Sequence, residues 1–487
     1  MSFETSIAEK IRAEVEEVME WVSGETGQDQ TAHEVEGQLW WKMLALGQLL
    51  MQLFFTTREQ DEVKQEGYES EGVVYPYIGK RERKYVSIFG EVRVNRAGYW
   101  RQGEGIKFPL DDQLSLPERS FSDWVQERVS ELSVMVTYEE AVTIFSKWLG
   151  WDLYKRSAEQ INADHADEVA VYYETRPIPE TPASDTILVV SADGKGIPMT
   201  RQDSPPPEAR RGRGEKKTAK KEATVTALYT IAPYERSADD IIRALIPGYA
   251  VEPSSLPSRP KPSNKQVFGT LNGQQAAFEQ LTQQVTRRDA EQITHYVALT
   301  DGNRGLKNRV QQDLPDFTLI VDIIHVTEYL WEAANTLLGE THPLRDLWMR
   351  DALRCLLDDD LDHLLKHLNH QLAGLSKRKQ STLTKVMNYL HNNRDYIHYQ
   401  TYLENGYPIG TGVIEGACRH LVKDRFERAG MRWSITGAQV MLDLRAVYLN
   451  DDWDDFQCFR RQQAHQQRYG SLHPDIVPEE LMLGAAA

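Results

Sequence analysis

The N-terminal part of the chain alternates between helical and strand-like hydrophobic spacing. Residues 1–60 have the pattern of two helices, and the second, around GQLWWKMLALGQLLMQLFF, is apolar enough to be buried. The stretch KYVSIFGEVRVNRAGYW, residues 84–100, alternates apolar and polar side chains on both sides of a Gly turn, which predicts a β-hairpin. The pattern therefore predicts a helical and β-hairpin region at residues 1–110.

Hydrophobic spacing becomes helical in the region 111–180. SDWVQERVSELSVMV, TYEEAVTIFSKWLG and YKRSAEQINADHADEV have the pattern of three short helices joined by tight turns. This arrangement is typical of a helix-turn-helix DNA-binding module. A plain helical packing unit has the same spacing, and no clearly basic recognition face separates the two interpretations.

Strands alternating with helices begin at Asp185. The apolar runs DTILVVSADGKG, EATVTALYTIAPY, HYVALTDGNRG and FTLIVDIIHV predict buried strands, with helices at QQAAFEQLTQQVTRR and NRVQQDLP. This succession predicts an α/β layer at 181–327 with right-handed crossovers. A Pro-rich and then basic segment at 202–221 separates the first two strands and predicts a mobile flap, because it cannot bury a core.

The rest of the chain is predicted to be mainly helical. We expect a helical insertion at 328–405, a core-closing helix within 406–450 and a C-terminal tail at 451–487. The whole pattern indicates an α+β multidomain protein, which agrees with a length of 487 residues, too long for one ordinary core.

Composition narrows the class of protein. No apolar run approaches the ~20 residues of a membrane span, and the N-terminus lacks a signal peptide, so we expect no membrane partner and a cytoplasmic location. The three cysteines are scattered, which predicts neither a disulfide framework nor a cysteine zinc site. A formal net charge of -17 argues against diffuse nucleic-acid binding, so any contact with DNA must come from local basic patches.

Two predicted strands end in an Asp-Gly pair, at Asp193 and Asp301. Ligands of α/β sheets gather beyond the carboxyl ends of strands, so we expect these carboxylates to share a crevice. Glu415 lies just inside the Gly-Thr-Gly turn of YPIGTGVIEGACRHLVKDRFERAGMRWS and could supply a third acidic ligand. Three carboxylates without nitrogen or sulfur ligands suit Mg²⁺ or Mn²⁺, and two such ions can act on one phosphodiester.

The stretch after Glu415 is unusually basic for so acidic a chain. On one continuous helix, Arg419 and Lys423 would lie one and two turns beyond Glu415 on nearly the same face, where they could follow a phosphate backbone. The alternative is an ion pair between Glu415 and Arg419 on a solvated surface. The two strand-end aspartates favour the metal-binding interpretation. Glycines near Asp193 and Asp301 lack the spacing of a P-loop, so no nucleotide cofactor is expected.

Five segments together resemble insertion-sequence transposases of the ISKra family. They are SADGKG, LTDGNRGL, VDIIHVTEYLW, YPIGTGVIEGACRHLVKDRFERAGMRWS and LDLRAVYLNDDWDDF, in the order of that family. The resemblance implies an RNase H-like catalytic core interrupted by a helical insertion, with a DDE triad formed by Asp193, Asp301 and Glu415. Asp322 competes with Asp301 for the second place, because IVDIIHV also ends a buried strand.

The resemblance also implies partners and further roles. It implies two-metal cleavage at transposon ends and strand transfer into target double-stranded DNA, by a homodimer or a higher oligomer. Asp322 and His325 resemble an Asp-x-x-His element of related transposases, although a purely structural histidine is an equal alternative. No zinc is expected near AGYWRQGEGIKFPLDD, where relatives tend to carry cysteines and this chain has none. The residues expected to contact DNA are Lys195, Arg304, His325, Arg419, Lys423, Arg425, Arg428, Arg432 and Trp433.

Three interpretations of a different kind stay open. A structure-specific nuclease would keep the same fold and stop at cleavage, and a domesticated DNA-binding protein would keep the fold without catalysis. Trp433 could also be a packed aromatic side chain. The histidines of DDDLDHLLKHLNHQL, His363, His367 and His370, have helical spacing, and the leucines between them favour an amphipathic helix with solvated histidines.

Overall fold

A computed structural model describes residues 3–24, 30–62, 66–70, 72–204, 220–246, 258–288 and 291–470. Most of the predicted basic flap, residues 205–219, lies outside this described part. The chain is a mixed α and β protein with two sheets, and it divides into two compact units, residues 1–174 with 452–487 and residues 175–451. No helix in the described ranges is both long and apolar enough to cross a membrane.

The first unit contains the predicted hairpin inside a four-stranded antiparallel sheet. Two helices, α1 (Phe3–Ser23) and α2 (Ala32–Asp61), come first. The strands β1 (Gly67–Ser70), β2 (Val73–Ser87), β3 (Gly90–Arg101) and β4 (Gly105–Lys107) are neighbours in sequence order. The hairpin prediction is confirmed, because Ser87 pairs with Gly90 and the two strands run on to Tyr77 and Tyr99.

Short helices complete the first unit. They are α3 (Pro109–Gln113), α4 (Asp123–Met135), α5 (Tyr138–Leu149), α6 (Lys155–Ala166) and α7 (Val169–Thr175), which reaches the boundary of the unit, and a C-terminal helix spans Trp453–Tyr469. The Ser122 and Thr137 hydroxyls accept hydrogen bonds from the first turns of α4 and α5. Left-handed Gly150 ends α5.

The second unit is built on a five-stranded sheet. Its strands are β5 (Ile187–Pro198), β6 (Lys220–Ile231), β7 (Ser263–Thr270), β8 (His295–Thr300) and β9 (Thr318–Val321), in the order β7-β6-β5-β8-β9. The first three strands in sequence are antiparallel, whereas β8 is parallel to β5 and β9 is parallel to β8.

Both faces of this sheet are buried, which explains the continuous apolar runs in its strands. Ile187 and Val189 point to one face and Leu188 and Val190 to the other, so successive residues of β5 enter two separate cores. Helices α9 (Gly273–Arg288) and α10 (Arg304–Asp313) cover the second of these faces. Helix α8 (Ala238–Leu245) packs on the first.

Helices follow the last strand, as the sequence predicts. They are α11 (Ile323–Leu337), α12 (Arg345–Leu357), α13 (Leu361–Gln371), α14 (Lys377–Asn392) and α15 (Tyr399–Glu404), and their leucines extend the first core.

The basic segment after Glu415 is helical without a gap from Gly412 to Phe426, so the predicted helix around Arg419 and Lys423 is present, but a π-turn interrupts its α-helical hydrogen bonding and it ends before Arg428. It comprises α16 (Gly412–Ala417), a π-helical turn (Cys418–Lys423), α17 (Asp424–Phe426), a 3₁₀ turn (Arg428–Gly430) and then α18 (Ile435–Leu449). A π-turn displaces the backbone hydrogen bonds by one residue. The Arg445 Nε–H donates to the His420 carbonyl oxygen at 2.6 Å, which stabilises this turn.

Candidate active site

Three aspartates lie at the same level of three neighbouring strands. Ala192 of β5 pairs with Thr300 of β8, and Thr300 pairs with Val321 of β9. The next residue along each strand is Asp193, Asp301 or Asp322. The three aspartates therefore lie side by side: Asp301 and Asp322 directly follow β8 and β9, whereas Asp193 lies within β5, which runs on to Pro198 instead of ending at the predicted Asp-Gly pair. The structure therefore brings both sequence-predicted aspartates and their competitor together.

Asp193 is held between its own strand and the segment that carries Glu415. Its Oδ1 accepts a hydrogen bond from the Gly194 N–H at 2.6 Å, and its Oδ2 accepts one from the Cys418 thiol at 3.3 Å. Burial raises the pKa of this thiol, and the nearby Asp193 and Glu415 carboxylates raise it further. Cys418 stays protonated, so it can donate to Asp193 and fasten the Glu415 segment over β5.

Asp301 follows β8 in a turn that leaves one carboxylate oxygen available. Its Oδ1 accepts a hydrogen bond from the Asn303 N–H at 2.8 Å, and its main-chain oxygen accepts one from the Tyr389 hydroxyl at 3.0 Å. No residue within the described ranges donates a hydrogen bond to Oδ2. Gly302 has φ of 86°, and a Cβ there would lie 3.1 Å from the Tyr389 oxygen, so this turn requires glycine.

Asp322 is different, because it is fully buried and both of its oxygens are occupied. It caps α11: Oδ1 accepts from the Ile324 N–H at 2.9 Å and from the Thr411 N–H at 3.3 Å. Its Oδ2 accepts from the Thr411 hydroxyl and from His325 Nδ1, the latter at 3.1 Å. Four donors engage this carboxylate, which gives it a structural role. Its ligand atoms, with those of His325 and Glu415, also form a group within 4.8 Å of one another that could hold a metal ion.

His325 is held as a cation beside these carboxylates. The hydrogen bond with Asp322 raises the pKa of His325 to about 9, although partial burial opposes the effect. The charges of Asp322, Glu328 and Asp301 contribute in the same direction. With Nδ1 donating to Asp322, Nε2–H is available to donate to an anionic ligand.

Glu415 lies on α16 and comes close to Asp322 and His325. It is exposed on α16, and a carboxylate oxygen of Glu415 lies within 4.8 Å of ligand atoms of both Asp322 and His325. Among the described residues, no side chain donates a hydrogen bond to this carboxylate. The Gly-Thr-Gly turn therefore has two effects. Thr411 donates two hydrogen bonds to Asp322, and these hold the nearby Glu415 next to Asp322.

The donor set fits hard divalent cations. Asp193, Asp301 and Glu415 offer carboxylate oxygens with lone pairs to spare, and no thiolate or neutral imidazole competes at this edge. Mg²⁺ and Mn²⁺ prefer such oxygen ligands and keep several waters.

The basic residues predicted to contact DNA fall into two groups. The Arg419 side chain is 71% exposed and lies 3.8 Å from Asp424, with no contact to Glu415 of the kind an i,i+4 ion pair would make. Lys195 is half-buried beside Asp193. The other members on the surface are exposed: Arg304, Lys423, Arg428 and Arg432.

Arg425 and Trp433 are corrections to that set, because both side chains are buried. Arg425 is 0% exposed and Trp433 is 5% exposed. The guanidinium lies 5.0 Å from the Trp433 ring centroid, and the Trp433 Nε1–H donates to the Phe426 carbonyl oxygen at 3.3 Å. They form a cation–π core contact inside the basic segment, where DNA phosphates cannot reach them.

Three residues that shape the site were missed by the sequence interpretation. They are Thr411, Cys418 and Tyr389: the first two donate hydrogen bonds to the carboxylates of Asp322 and Asp193, and Tyr389 donates one to the main-chain oxygen of Asp301. Thr411 and Cys418 lie in the same motif as Glu415, so their spacing was a usable signal. Tyr389 lies in the helical insertion 88 positions from Asp301, and nothing local in the sequence predicts their contact.

Comparison with known proteins gives no assignment of this chain. No family model matches it, and no curated protein matches it. Among solved structures, the Drosophila P element transposase strand transfer complex is similar over 72% of this chain and 82% of that chain, with 8% identity and a TM-score of 0.24. A TM-score this low does not establish a common fold, so no conclusion about activity is drawn from it.

Proposed function

We propose that the chain is a DNA transposase that cleaves transposon ends and joins them to target DNA at one metal-dependent site. The observation that carries this proposal is that Asp193 and Asp301 follow paired residues of neighbouring strands, while Cys418, three residues after Glu415, donates a hydrogen bond to Asp193. The motif resemblance to ISKra-family transposases supports it, as does a strand order that agrees with an RNase H-like core. A helical insertion before the final acidic residue fits the same family pattern.

Each side chain has a role in this proposal. Asp193, Asp301 and Glu415 would hold Mg²⁺ or Mn²⁺, and two such ions, when bound, would supply activation of the attacking oxygen and stabilisation of the leaving oxygen. His325 offers a cationic N–H donor to a phosphate oxygen, and Arg419 and Lys423 contact the adjoining backbone. Water cleaves the phosphodiester at the transposon end, and the freed 3′-OH then attacks a target phosphodiester.

Asp301 is the proposed second carboxylate in place of Asp322. Its Oδ2 lacks a hydrogen-bond donor within the described ranges, whereas Asp322 already accepts four hydrogen bonds. Neutralising Asp301 should therefore abolish chemistry without loss of fold. Neutralising Asp322 should first loosen Thr411 and α11.

The test is cleavage and joining of labelled transposon-end DNA with Mg²⁺ or Mn²⁺. We expect Asp193→Asn, Asp301→Asn and Glu415→Gln to lose at least about a thousandfold in rate, because each removes a charge that stabilises the reacting phosphate, while DNA binding persists. Asp316→Asn is the matched control, since this exposed aspartate precedes β9 at its opposite end. Full activity of Asp301→Asn with loss in Asp322→Asn would reverse the assignment of the second carboxylate.

Two rival functions are separated by the same assay. Cleavage without joining would indicate a structure-specific nuclease with this fold. Binding without cleavage under either metal would indicate a DNA-binding protein whose acidic cluster no longer catalyses. A transposase must hold two ends together, so we further propose a homodimer or a higher oligomer acting on double-stranded DNA in the cytoplasm.

A further inference from the structure

A second set of metal-ligand side chains lies away from the strand ends, in the helical insertion. Helices α12 and α13 are joined by only three residues, Asp358 to Asp360, and the Asp360 N–H donates to the Cys355 carbonyl oxygen at 2.8 Å. Such a short connection makes the two helices antiparallel neighbours. Cys355 is then level with His363, and Asp351 is level with His367 one turn away.

The four residues line one small cavity. It has a volume of about 190 Å³, and its walls include Asp351, Cys355, His363 and His367 over a floor of Trp348, Ala352 and Leu364. Each helix contributes a pair at i,i+4, the spacing by which two histidines of one helix bind a single zinc ion in H-E-x-x-H sites. A thiol, two imidazoles and a carboxylate are a tetrahedral zinc set.

None of the three nitrogen and sulfur ligands is committed elsewhere. Within the described part of the chain, no side-chain hydrogen bond engages the Cys355 thiol or the imidazoles of His363 and His367. Burial of the Cys355 thiol and the aspartates around it raise its pKa, so a bound cation would have to displace a proton. Asp351 already accepts from the Arg350 guanidinium, with nitrogen atoms 3.0 and 3.1 Å from its Oδ1, so a bound cation would compete with Arg350 for this carboxylate. Asp358 and Asp360 add negative charge near the cavity that attracts a cation.

We propose that the α12–α13 hairpin binds one zinc ion through four ligands: Asp351, Cys355, His363 and His367. The side chains line the cavity without yet converging, since among described residues only the Asp322, His325 and Glu415 group has ligand atoms within 4.8 Å of one another. Both histidines are exposed, so rotation about their side-chain bonds can close the set at little cost. A bound ion would pin the two helices together and stiffen the insertion next to the candidate active site.

The proposal is tested on the full chain with Co²⁺ as a spectroscopic substitute for zinc. We expect one equivalent to give the intense visible bands of tetrahedral Co²⁺ together with a thiolate charge-transfer band. Cys355→Ser should abolish the charge-transfer band, and His367→Ala should weaken affinity at least about tenfold, as loss of even an outer-sphere partner does. His370→Ala is the matched control, because His370 is on the same helix and does not line the cavity.

Two further variants exclude the other thiols. Cys418→Ser and Cys458→Ser should keep the charge-transfer band, so a band lost in Cys418→Ser would relocate the ion to the strand-end cluster. Thermal unfolding gives a second readout: zinc in hundredfold excess should raise the Tm of the wild type and leave Cys355→Ser unchanged. Absence of the bands in the wild type, or their persistence in Cys355→Ser, would overturn the proposal.

Discussion

Asp322 is a carboxylate whose work is structural although it lies at a candidate active site. Its four hydrogen bonds tie together the first turn of α11, the Thr411 turn and the His325 ring. Removing this carboxylate would leave these donors without a partner, which costs about 1–3 kcal/mol for each buried group. The same carboxylate also keeps His325 protonated.

The charge of His325 can be tested through this pair. Asp322→Asn should lower the pKa of His325 from about 9 towards its ordinary value of 6.5, because the hydrogen bond to a carboxylate is the largest cause of the increase. An NMR titration of the imidazole in chelator-treated protein measures it. A raised folded-state pKa stabilises the fold below about pH 6.5, and the contribution disappears as the pH rises through 9. The variant should lack this pH dependence, and an unchanged pKa would refute the coupling.

Asp443 on α18 gives a second prediction about pH. Burial raises its pKa to about 7, against a single hydrogen bond from Gln439 at 2.8 Å. A raised folded-state pKa of a carboxyl group costs stability as the pH rises from its ordinary value of 3.8 through 7. Asp443→Asn should therefore raise the Tm at pH 8 and have little effect at pH 4, with a ceiling of about 4 kcal/mol. Asp316→Asn is the control, and equal Tm shifts at both pH values would contradict this.

At the scale of elements, the position of Glu415 depends on close packing between β7 and the helical segments around it. A Cβ at Gly269 would lie 2.9 Å from Leu421 Cδ2 and 3.3 Å from Leu442 Cδ2. Leu421 is in the π-turn that follows Glu415, and Leu442 is in α18. The missing side chain of Gly269 thus lets the segment that bears Glu415 lie directly on the sheet.

Gly269→Ala should push these helices away from β7. We expect a loss of about 1–3 kcal/mol in the free energy of unfolding, as for other overpacked cores, together with reduced cleavage. Urea denaturation measures the first effect. Gly37→Ala in α2 is the matched control, because nothing lies within 4 Å of its Cβ, and it should be neutral or stabilise by up to about 1 kcal/mol. Equal stability of the two variants would show that β7 and its helices can shift freely.

Elements were predictable where local physics decides them, and contacts were not. Both faces of β5 are buried, so the apolar run from Ile187 to Val190 was enough to predict a strand. The π-turn at Cys418 was not predictable, because its displaced hydrogen bonds depend on Arg445, 25 positions away. The burial of Arg425 follows from the same bend, which turns its side chain onto Trp433.

The residues of the candidate site likewise include some that the sequence predicts and some that depend on distant contacts. Asp-Gly after an apolar run correctly marked the end of β8, but β5 continues through Asp193 and Gly194 to Pro198, because β6 pairs with it along this whole length. The sequence left Asp301 and Asp322 as competitors, since both follow buried strands. Only the hydrogen bonds of Thr411 separate them, and these join residues 89 positions apart.

At the scale of the whole molecule, a net charge of -17 means that the proposed binding of DNA would depend on a few exposed cations. Each phosphate contact releases counterions, so affinity should fall steeply with salt. Arg419→Ala and Lys423→Ala should each reduce the slope of log affinity against log salt by about 1. Arg12→Ala, an exposed cation on α1, is the control and should leave the slope unchanged.

Arg425→Ala should behave differently from these variants. Its guanidinium is buried against Trp433, so the change should lower the Tm and leave the salt slope at the wild-type value. Fluorescence anisotropy with labelled double-stranded DNA at several salt concentrations distinguishes the two outcomes. A lower slope in Arg425→Ala at unchanged Tm would restore it to the DNA-contacting set.

The hydrogen bond from Cys418 to Asp193 spans 225 positions, and it has a consequence for the order of events at the ribosome. The strand that bears Asp193 is synthesised early. Thr411, Glu415 and Cys418 are synthesised only when the second unit is nearly complete. A growing or prematurely terminated chain would contain the aspartates but not the segment 411–418 that contacts them. Such a chain would lack the third carboxylate of the proposed metal site until nearly all of the second unit has been translated.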